Sequence, residues 1–201
     1  MNWDDLRERT TRLHLAREEV LVHCRKLTQL SSKSIRHVHR HEYQEAEQFL
    51  NQAKKLASDI RQVMSGFPEM NPSYLHDSEK EMVEAAAVLA ITQQLPIPTA
   101  AELGASTMAY LHGCCEAASE VRRFVLDQIR TGNISESERI LATMNDIYEE
   151  LITFDFPDSL TNGLRRSVDA LRAVLERTRS DLTLTTVQIT LVQELRKKEN
   201  D

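Results

Sequence analysis

Residues 81–91 are Glu-Met-Val-Glu-Ala-Ala-Ala-Val-Leu-Ala-Ile, an acidic pair that leads directly into a run of small apolar side chains. Glu81 and Glu84 are three residues apart, so a helix would place both on one face. Turn-forming residues bound the stretch on both sides, at Pro72-Ser73 and at Leu95-Pro96. We therefore predict a helix over about residues 72–93, acidic at its start and apolar afterwards.

A second acidic pair has the same character. Glu116 and Glu120 are four residues apart and follow Cys114 and Cys115 within another helical stretch. Like charges at this spacing cost a helix a few tenths of a kcal/mol in water, and more where the dielectric is lower. A cation shared between the two helices would relieve that repulsion, and converging carboxylates are typical of a magnesium site. Ordinary solvated helix faces are the alternative, and spacing alone leaves both open.

The rest of the chain is also periodic in the manner of helices. Glycine and proline, five of each, fall in short clusters between long stretches with apolar residues at helical intervals. Thr99-Ala100-Ala101-Glu102 has the pattern of a capping box and predicts a short helical turn. The predicted long helices span about residues 3–41, 42–64, 72–93, 106–131, 135–154 and 164–198. This pattern predicts an all-α fold, one domain over residues 1–201 built as a bundle of about seven helices.

The first and last predicted helices are too long for a compact monomer of this size. Their apolar stripes would remain exposed in one subunit, so we expect a homo-oligomer.

Charge and cysteine content narrow the class of protein. The net charge of −6 argues weakly against a general nucleic-acid binder, although basic residues cluster locally. The clusters are Lys33, Arg36, His37, His39, Arg40 and His41, and Arg165, Arg166, Arg172, Arg177 and Arg179. Solvated helix faces are again the alternative for these clusters. Three cysteines, two of them adjacent, favour a reducing compartment, and no apolar run is long enough to span a bilayer, so we expect a cytoplasmic protein without a membrane partner.

Several other metal and catalytic sites are disfavoured by spacing. A di-iron carboxylate bundle needs Glu-x-x-His, and no glutamate here has a histidine three residues later. Cys114 and Cys115 point about 100° apart on a helix, which favours small buried side chains over a metal or redox pair. The alternate histidines from His37 to His41 cannot share one helical face. No Gly-rich phosphate loop and no nucleophile elbow are present.

Four stretches carry a resemblance to the translin superfamily, and in particular to its factor X branch. The segment late in the first helix is similar to the family's Ser-Lys-Arg-x-Ile…His-Arg. Glu81-Met82-Val83-Glu84-Ala85 resembles Glu-x-Val-Glu-Ala, and residues 110–120 resemble Tyr-Leu-x-Gly-x-x-Asp-x-x-Gly-Glu. The matching stretches in this chain are residues 32–40, 81–85, 110–120, and 132–134 together with 164–182.

The resemblance implies an all-helical protein that assembles into a hollow octameric shell and binds single-stranded RNA and DNA. In the factor X branch, metal-binding carboxylates that cut RNA occupy the places held here by Glu81, Glu84, Glu116 and Glu120. The expected activity is a Mg²⁺-dependent endoribonuclease acting on single-stranded RNA, with Mn²⁺ as a substitute ion. The alternative is a non-catalytic, translin-like protein that binds single-stranded RNA or DNA.

Two departures from the family pattern lie within these stretches. Glu116 stands where the family has Asp, and its extra methylene moves the carboxylate by more than about 1 Å. Ser119 replaces a glycine but is small enough to leave helix packing alone. Gly113 falls in mid-helix at a cost of roughly 1 kcal/mol, for which the resemblance implies a packing reason. The expected nucleic-acid-binding residues are Lys33, Arg36, His39, Arg40, His112, Arg165 and Arg172.

Overall fold

The computed structural model of the chain describes residues 2–200 and is helical throughout, with no strand in that range. The all-α fold class predicted from the sequence is confirmed. Nine helical segments are present in the described residues, two of them single turns: α1 Trp3–Val38, α2 Tyr43–Ser65, α3 Ser73–Thr92, α4 Ala100–Leu103, α5 Thr107–Glu120, α6 Arg122–Arg130, α7 Ile134–Leu151, α8 Asp158–Thr161 and α9 Leu164–Asn200. None of these helices, as far as described, has the length and apolarity of a membrane span.

The predicted elements were wrong at three places. The helix expected over residues 106–131 is interrupted at Val121, where ψ is −12° rather than about −42°. The amide of Val121 still donates to the Ala117 carbonyl at 3.0 Å, as it would in a continuous helix. The spacing of apolar residues also continues through Val121, so the sequence contains no signal that the helix is interrupted there. The expected loop over residues 155–163 contains the single turn α8, which ends at Asn162 with a positive φ of 52°.

The first helix ends earlier than residue 41. His41 adopts φ 60°, its amide donates to the Val38 carbonyl at 2.9 Å, and the Glu42 amide donates to the His37 carbonyl at 3.0 Å. This pair of hydrogen bonds is the Schellman closure of a helix C-terminus. A histidine in the left-handed position gives little warning in the sequence, because glycine is the usual residue there.

The capping box at α4 is confirmed. The Glu102 amide donates to Thr99 Oγ1 at 3.3 Å, and the Thr99 amide donates to Glu102 Oε2 at 2.7 Å. The turn closes at Gly104 with φ 61°, where a Cβ would lie 2.9 Å from Arg61 Nη2. The connection between α3 and α5 is therefore short and tightly specified.

The chain divides into two compact units, Met1–Gly113 and Cys114–Asp201, and the division falls inside α5. In the first unit α1, α2 and α3 pack on one another. Their fully buried apolar residues include Val20, Leu27, Val38, Ala53, Ile60, Met82 and Val83. The expectation of a single domain stays a prediction.

The second unit is built on α6, α7 and α9. Buried apolar residues of these helices include Phe124, Val125, Ile140, Met144, Leu171 and Leu182. Arg122 ties α6 to α9, since its guanidinium donates to Thr178 Oγ1 at 2.9 Å and to Asp181 Oδ2 at 2.7 Å. Beyond Leu182 the apolar stripe of α9 continues but is exposed, at Leu184, Val187, Leu191 and Leu195. This is the exposed stripe expected from the length of the last helix.

α3 and α5 approach each other closely at Gly113. A Cβ on Gly113 would lie 2.6 Å from Val83 Cβ and 2.7 Å from the Lys80 carbonyl oxygen, well inside van der Waals contact. Only a hydrogen atom fits there, so the two helices meet at Gly113 with no side chain between them. The mid-helix glycine thus has the packing reason that the family resemblance implied.

Gly113→Ala should destabilise the protein. Overpacking costs about 1–3 kcal/mol, and the roughly 1 kcal/mol gained in helix propensity offsets only part of it. Urea unfolding of the variant and the parent would measure the difference. Gly66→Ala is the matched control, because its Cβ would meet nothing closer than the Val63 carbonyl at 3.4 Å and its φ is −75°. Equal loss of stability in both variants would contradict the close approach.

Candidate metal centre

Three of the predicted acidic residues meet in the structure. One carboxylate oxygen from each of Glu81, Glu84 and Glu116 lies within 4.8 Å of the others, and all three residues are partly exposed. Glu81 and Glu84 flank Val83 on α3, and Glu116 follows Gly113 by three residues on α5. Glu116 therefore lies about one turn from the contact between Gly113 and Val83. This carboxylate cluster could hold a metal ion.

The fourth predicted acid lies outside the cluster. Glu120 is the last residue of α5, one turn after Glu116, and is partly exposed. Among the residues that the structure describes, the group of close carboxylates comprises Glu81, Glu84 and Glu116 only. A ligand role for Glu120 stays a prediction.

Another carboxylate of α3, that of Glu79, has a role that was not predicted from the sequence. Glu79 is only 2% exposed, and its Oε1 accepts a hydrogen bond from Arg61 Nη1 at 2.6 Å. Its Oε2 accepts from both the amide and the hydroxyl of Ser106, at 2.8 and 2.7 Å. No sequence signal marks this network, because its partners are 18 and 27 residues away in the chain.

One histidine on each of the two helices, His76 on α3 and His112 on α5, lies about one turn before the acids. His112 of α5 is 7% exposed, and its ring centroid is 5.7 Å from that of His76 of α3, in an edge-to-face arrangement. Burial lowers the pKa of His76, with the neighbouring Asp77 acting in the opposite direction. His112 has little open surface for a ligand, and its expected contact with nucleic acid stays a prediction.

The adjacent cysteines are buried and form no disulfide. Burial, followed by the charge of Glu116, raises the pKa of Cys115 to about 12. Cys115 is 2% exposed, and it is not in the group of close ligand atoms formed by Glu81, Glu84 and Glu116. This agrees with the interpretation of the pair as small buried side chains.

The basic residues at the end of α1 surround an aromatic ring of α2. Lys33 Nζ is 5.4 Å from the centroid of Phe49, and His37 stacks on the same ring at 5.1 Å. Arg36 and Arg40 are exposed beside them. A cation next to an aromatic ring is a feature of single-stranded nucleic-acid surfaces. The cations were predicted from the sequence, whereas the position of Phe49 beside them was not.

The basic residues of α9 are also exposed. Arg172 faces solvent, and Arg165 lines a cavity of about 280 Å³ together with Phe154 and Phe156. The Arg165 guanidinium is 4.0 Å from an exposed carboxylate, that of Asp155, which is a weak surface pair. Arg165 and Arg172 are thus accessible to a charged ligand, and their expected role in nucleic-acid binding stays a prediction.

Comparisons with known proteins identify relatives along almost the whole chain. No family model matches it. The uncharacterized protein MJ0175 of Methanocaldococcus jannaschii is 30% identical over 187 residues, covering 92% of this chain and 80% of that protein.

Solved structures also match almost the whole chain. A crystal structure of AfC3PO superposes with a TM-score of 0.87 and 34% identity, covering 94% of this chain and 98% of that one. The structure of an AfC3PO–duplex RNA complex gives 0.86 at the same identity and coverage. Apo-NeC3PO, at 23% identity and a TM-score of 0.83, covers 92% of this chain and 97% of its own and supports the fold. C3PO proteins are of the translin type, and with this identity over nearly its full length the chain belongs to the translin superfamily.

Proposed function

We propose that this protein is a Mg²⁺-dependent endoribonuclease of the factor X type that cleaves single-stranded RNA. The observation that carries the proposal is the cluster of Glu81, Glu84 and Glu116 within 4.8 Å on two closely packed helices. A relative at 34% identity is described in complex with duplex RNA, which supports RNA as the substrate class.

The donor set of the cluster suits magnesium. Mg²⁺ prefers oxygen ligands and is usually bound by one or two carboxylates while keeping several waters. Three partly exposed carboxylates meet that preference, and no sulfur ligand belongs to the group among the described residues. Glu81, Glu84 and Glu116 would hold the ion, with Glu120 one turn further along α5 as a fourth acid. Mn²⁺ accepts the same oxygen ligands.

Different residues of the chain would have different roles in hydrolysis. Bound Mg²⁺ supplies Lewis acidity, which favours ionisation of water and neutralises charge on the phosphodiester. The glutamates hold the ion at a partly open surface, and their rigid helices fix its place. Exposed cations, with Arg36, Arg40, Arg165 and Arg172 foremost, would bind the phosphates on either side of the cut. Attack by water leaves 5′-phosphate and 3′-hydroxyl ends.

An oligomeric shell completes the proposal. The exposed stripe of Leu184, Val187, Leu191 and Leu195 on α9 is more apolar surface than a lone subunit normally leaves to water. We infer a homo-octamer, located in the cytoplasm, in which basic residues line an enclosed cavity and acidic residues face outward. Such a distribution reconciles RNA binding with a net charge of −6.

A non-catalytic protein that binds single-stranded RNA or DNA is the second candidate. Glu116 favours it, because the family has Asp at this position and the longer side chain changes the reach of the carboxylate. The two candidates share the basic surfaces and differ only in the use of the carboxylate cluster.

Glu84→Gln should abolish most cleavage while preserving the fold. The change keeps the shape of the side chain and removes its charge, so Mg²⁺ binding and the rate of RNA cleavage should each fall by about 100-fold or more. Metal-free stability should be unchanged or slightly higher, since like-charge repulsion is relieved. Labelled single-stranded RNA incubated with Mg²⁺ or with EDTA gives the rate. Glu47→Gln, an exposed acid of α2, is the control.

Glu120→Gln tests the fourth acid separately. A similar loss of cleavage would make Glu120 a ligand, and a small loss would leave the three-carboxylate cluster as the whole site. Full activity of the Glu84→Gln, Glu120→Gln double variant would end the catalytic proposal and leave the non-catalytic binder.

Reversing Arg36 and Arg40 to Glu should weaken RNA binding without dissociating the oligomer. Each lost phosphate contact should lower the slope of log K against log salt by about one unit. Fluorescence anisotropy with matched single-stranded and duplex RNA would measure both the slope and the preference, which we expect to favour single strands. Arg25→Glu with Lys26→Glu is a matched double charge reversal at exposed positions of the same helix, α1. Equal effects of the two reversals would place the RNA track elsewhere, with Arg165 and Arg172 as the next candidates.

Light scattering should give a mass of eight 23.0 kDa subunits at micromolar concentration. Val187→Glu together with Leu191→Glu should lower that mass, because the change places charges in the apolar stripe of α9. A monodisperse 23.0 kDa species for the unaltered protein would contradict the shell and the enclosed cavity.

A further inference from the structure

We propose that Glu79, with Arg61 and Ser106, is the positioning unit that sets the spacing between the carboxylates of α3 and α5. The inference rests on the proposed metal-dependent function. Glu79 would not contact the metal ion or the RNA. It acts by holding the start of α5 against α3, and so controls where Glu116 stands relative to Glu81 and Glu84.

The hydrogen bonds of Glu79 are complete and directional. Its carboxylate is buried, with one oxygen taken by the Arg61 guanidinium and the other by the amide and hydroxyl of Ser106. The Ser106 carbonyl accepts the first helical hydrogen bond of α5, from the Tyr110 amide at 2.9 Å, so Ser106 is the N-cap residue of that helix. A carboxylate at a helix N-terminus is favoured by the free amides and by the helix dipole. Glu79 therefore caps α5 from a different helix.

This cap lies beside the metal centre along α3 and nearly three turns away from it along α5. Glu79 is two residues before Glu81 on α3, and Ser106 is ten residues before Glu116, about 15 Å along α5. The contact between Gly113 and Val83 is a second point of attachment between the same helices. Apolar contacts along α5 have no preferred direction, whereas the hydrogen bonds from Ser106 to Glu79 are directional. The cap therefore adds a directional constraint on α5, and with it on the position of Glu116.

Arg61 extends the clamp to the connecting segment. Its Nη2 lies 3.4 Å from the Leu103 carbonyl at the end of α4, and a Cβ on Gly104 would collide with the same guanidinium. The segment from α4 to Ser106 is thus held from α2 by Arg61 and from α3 by Glu79. A buried ion pair is weak evidence for stability, since its desolvation offsets much of its attraction. Its geometric effect on α5 is the role that the structure supports.

Two variants and two matched controls test the positioning role. Glu79→Gln keeps the size of the side chain and removes its charge, and Ser106→Ala removes one hydrogen bond on the α5 side. Glu102→Gln and Thr99→Ala make the same types of change in the capping box of α4, the neighbouring helix. Mn²⁺ binding to the full-length protein, measured by calorimetry, and metal-free thermal unfolding would be recorded for all four and for the parent.

The expected result separates metal affinity from stability. Glu79→Gln should raise the Kd for Mn²⁺ about tenfold, in the range seen for residues that orient metal ligands, and Ser106→Ala should raise it by a smaller factor. Both controls should bind Mn²⁺ as the parent does, although they lower the unfolding temperature through loss of a helix cap. Faster hydrogen exchange of the amides in the first turn of α5 should accompany the weaker metal binding.

Other outcomes each decide a point. Parent-like Mn²⁺ affinity in both Glu79→Gln and Ser106→Ala overturns the positioning role and leaves the proposed nuclease standing. If Glu79→Gln fails to fold, Ser106→Ala decides alone, because it alters a single hydroxyl. A parent protein that binds no Mn²⁺ overturns the proposed function and the positioning role together.

Discussion

The contact between Gly113 and Val83 is the constraint on which the rest of the site depends. It brings α3 and α5 so close that a methyl group would not fit between them. Carboxylates one turn away then converge to within 4.8 Å, although like charges repel. The opposing free energy comes from apolar burial, because the half of α3 that follows the acids is almost entirely enclosed. The protein thus holds acids together by packing that does not involve them.

The acids of α3 illustrate how position within one helix decides the chemistry of a side chain. Glu79 is enclosed and bound by Arg61 and Ser106, an arrangement that compensates a buried charge. Glu81 and Glu84 lie two and five residues later, are partly exposed, and share a cluster with Glu116. In our proposal Glu79 fixes the helices, while Glu81 and Glu84 place carboxylate oxygens at a surface that solvent can reach.

Charge distribution matters more than total charge for the proposed substrate. A net charge of −6 does not favour RNA binding, but exposed arginines lie at the end of α1 and along α9. Phe49, between Lys33 and His37 in space, adds an aromatic ring to the first of these surfaces. Affinity from phosphate contacts is electrostatic and local, so a basic surface can act within an acidic protein.

The sequence by itself determined the helical class, the capping box at Thr99 and the acidic pairs, because each is a pattern of residues close together in the chain. It did not show the interruption at Val121, where no residue type breaks the pattern. Only the tertiary structure decided that Glu116 joins Glu81 and Glu84 while Glu120 lies outside their cluster, and that Glu79 caps α5. These depend on contacts between residues far apart in the chain, and such contacts arise from how helices pack rather than from the spacing of residues within any one helix.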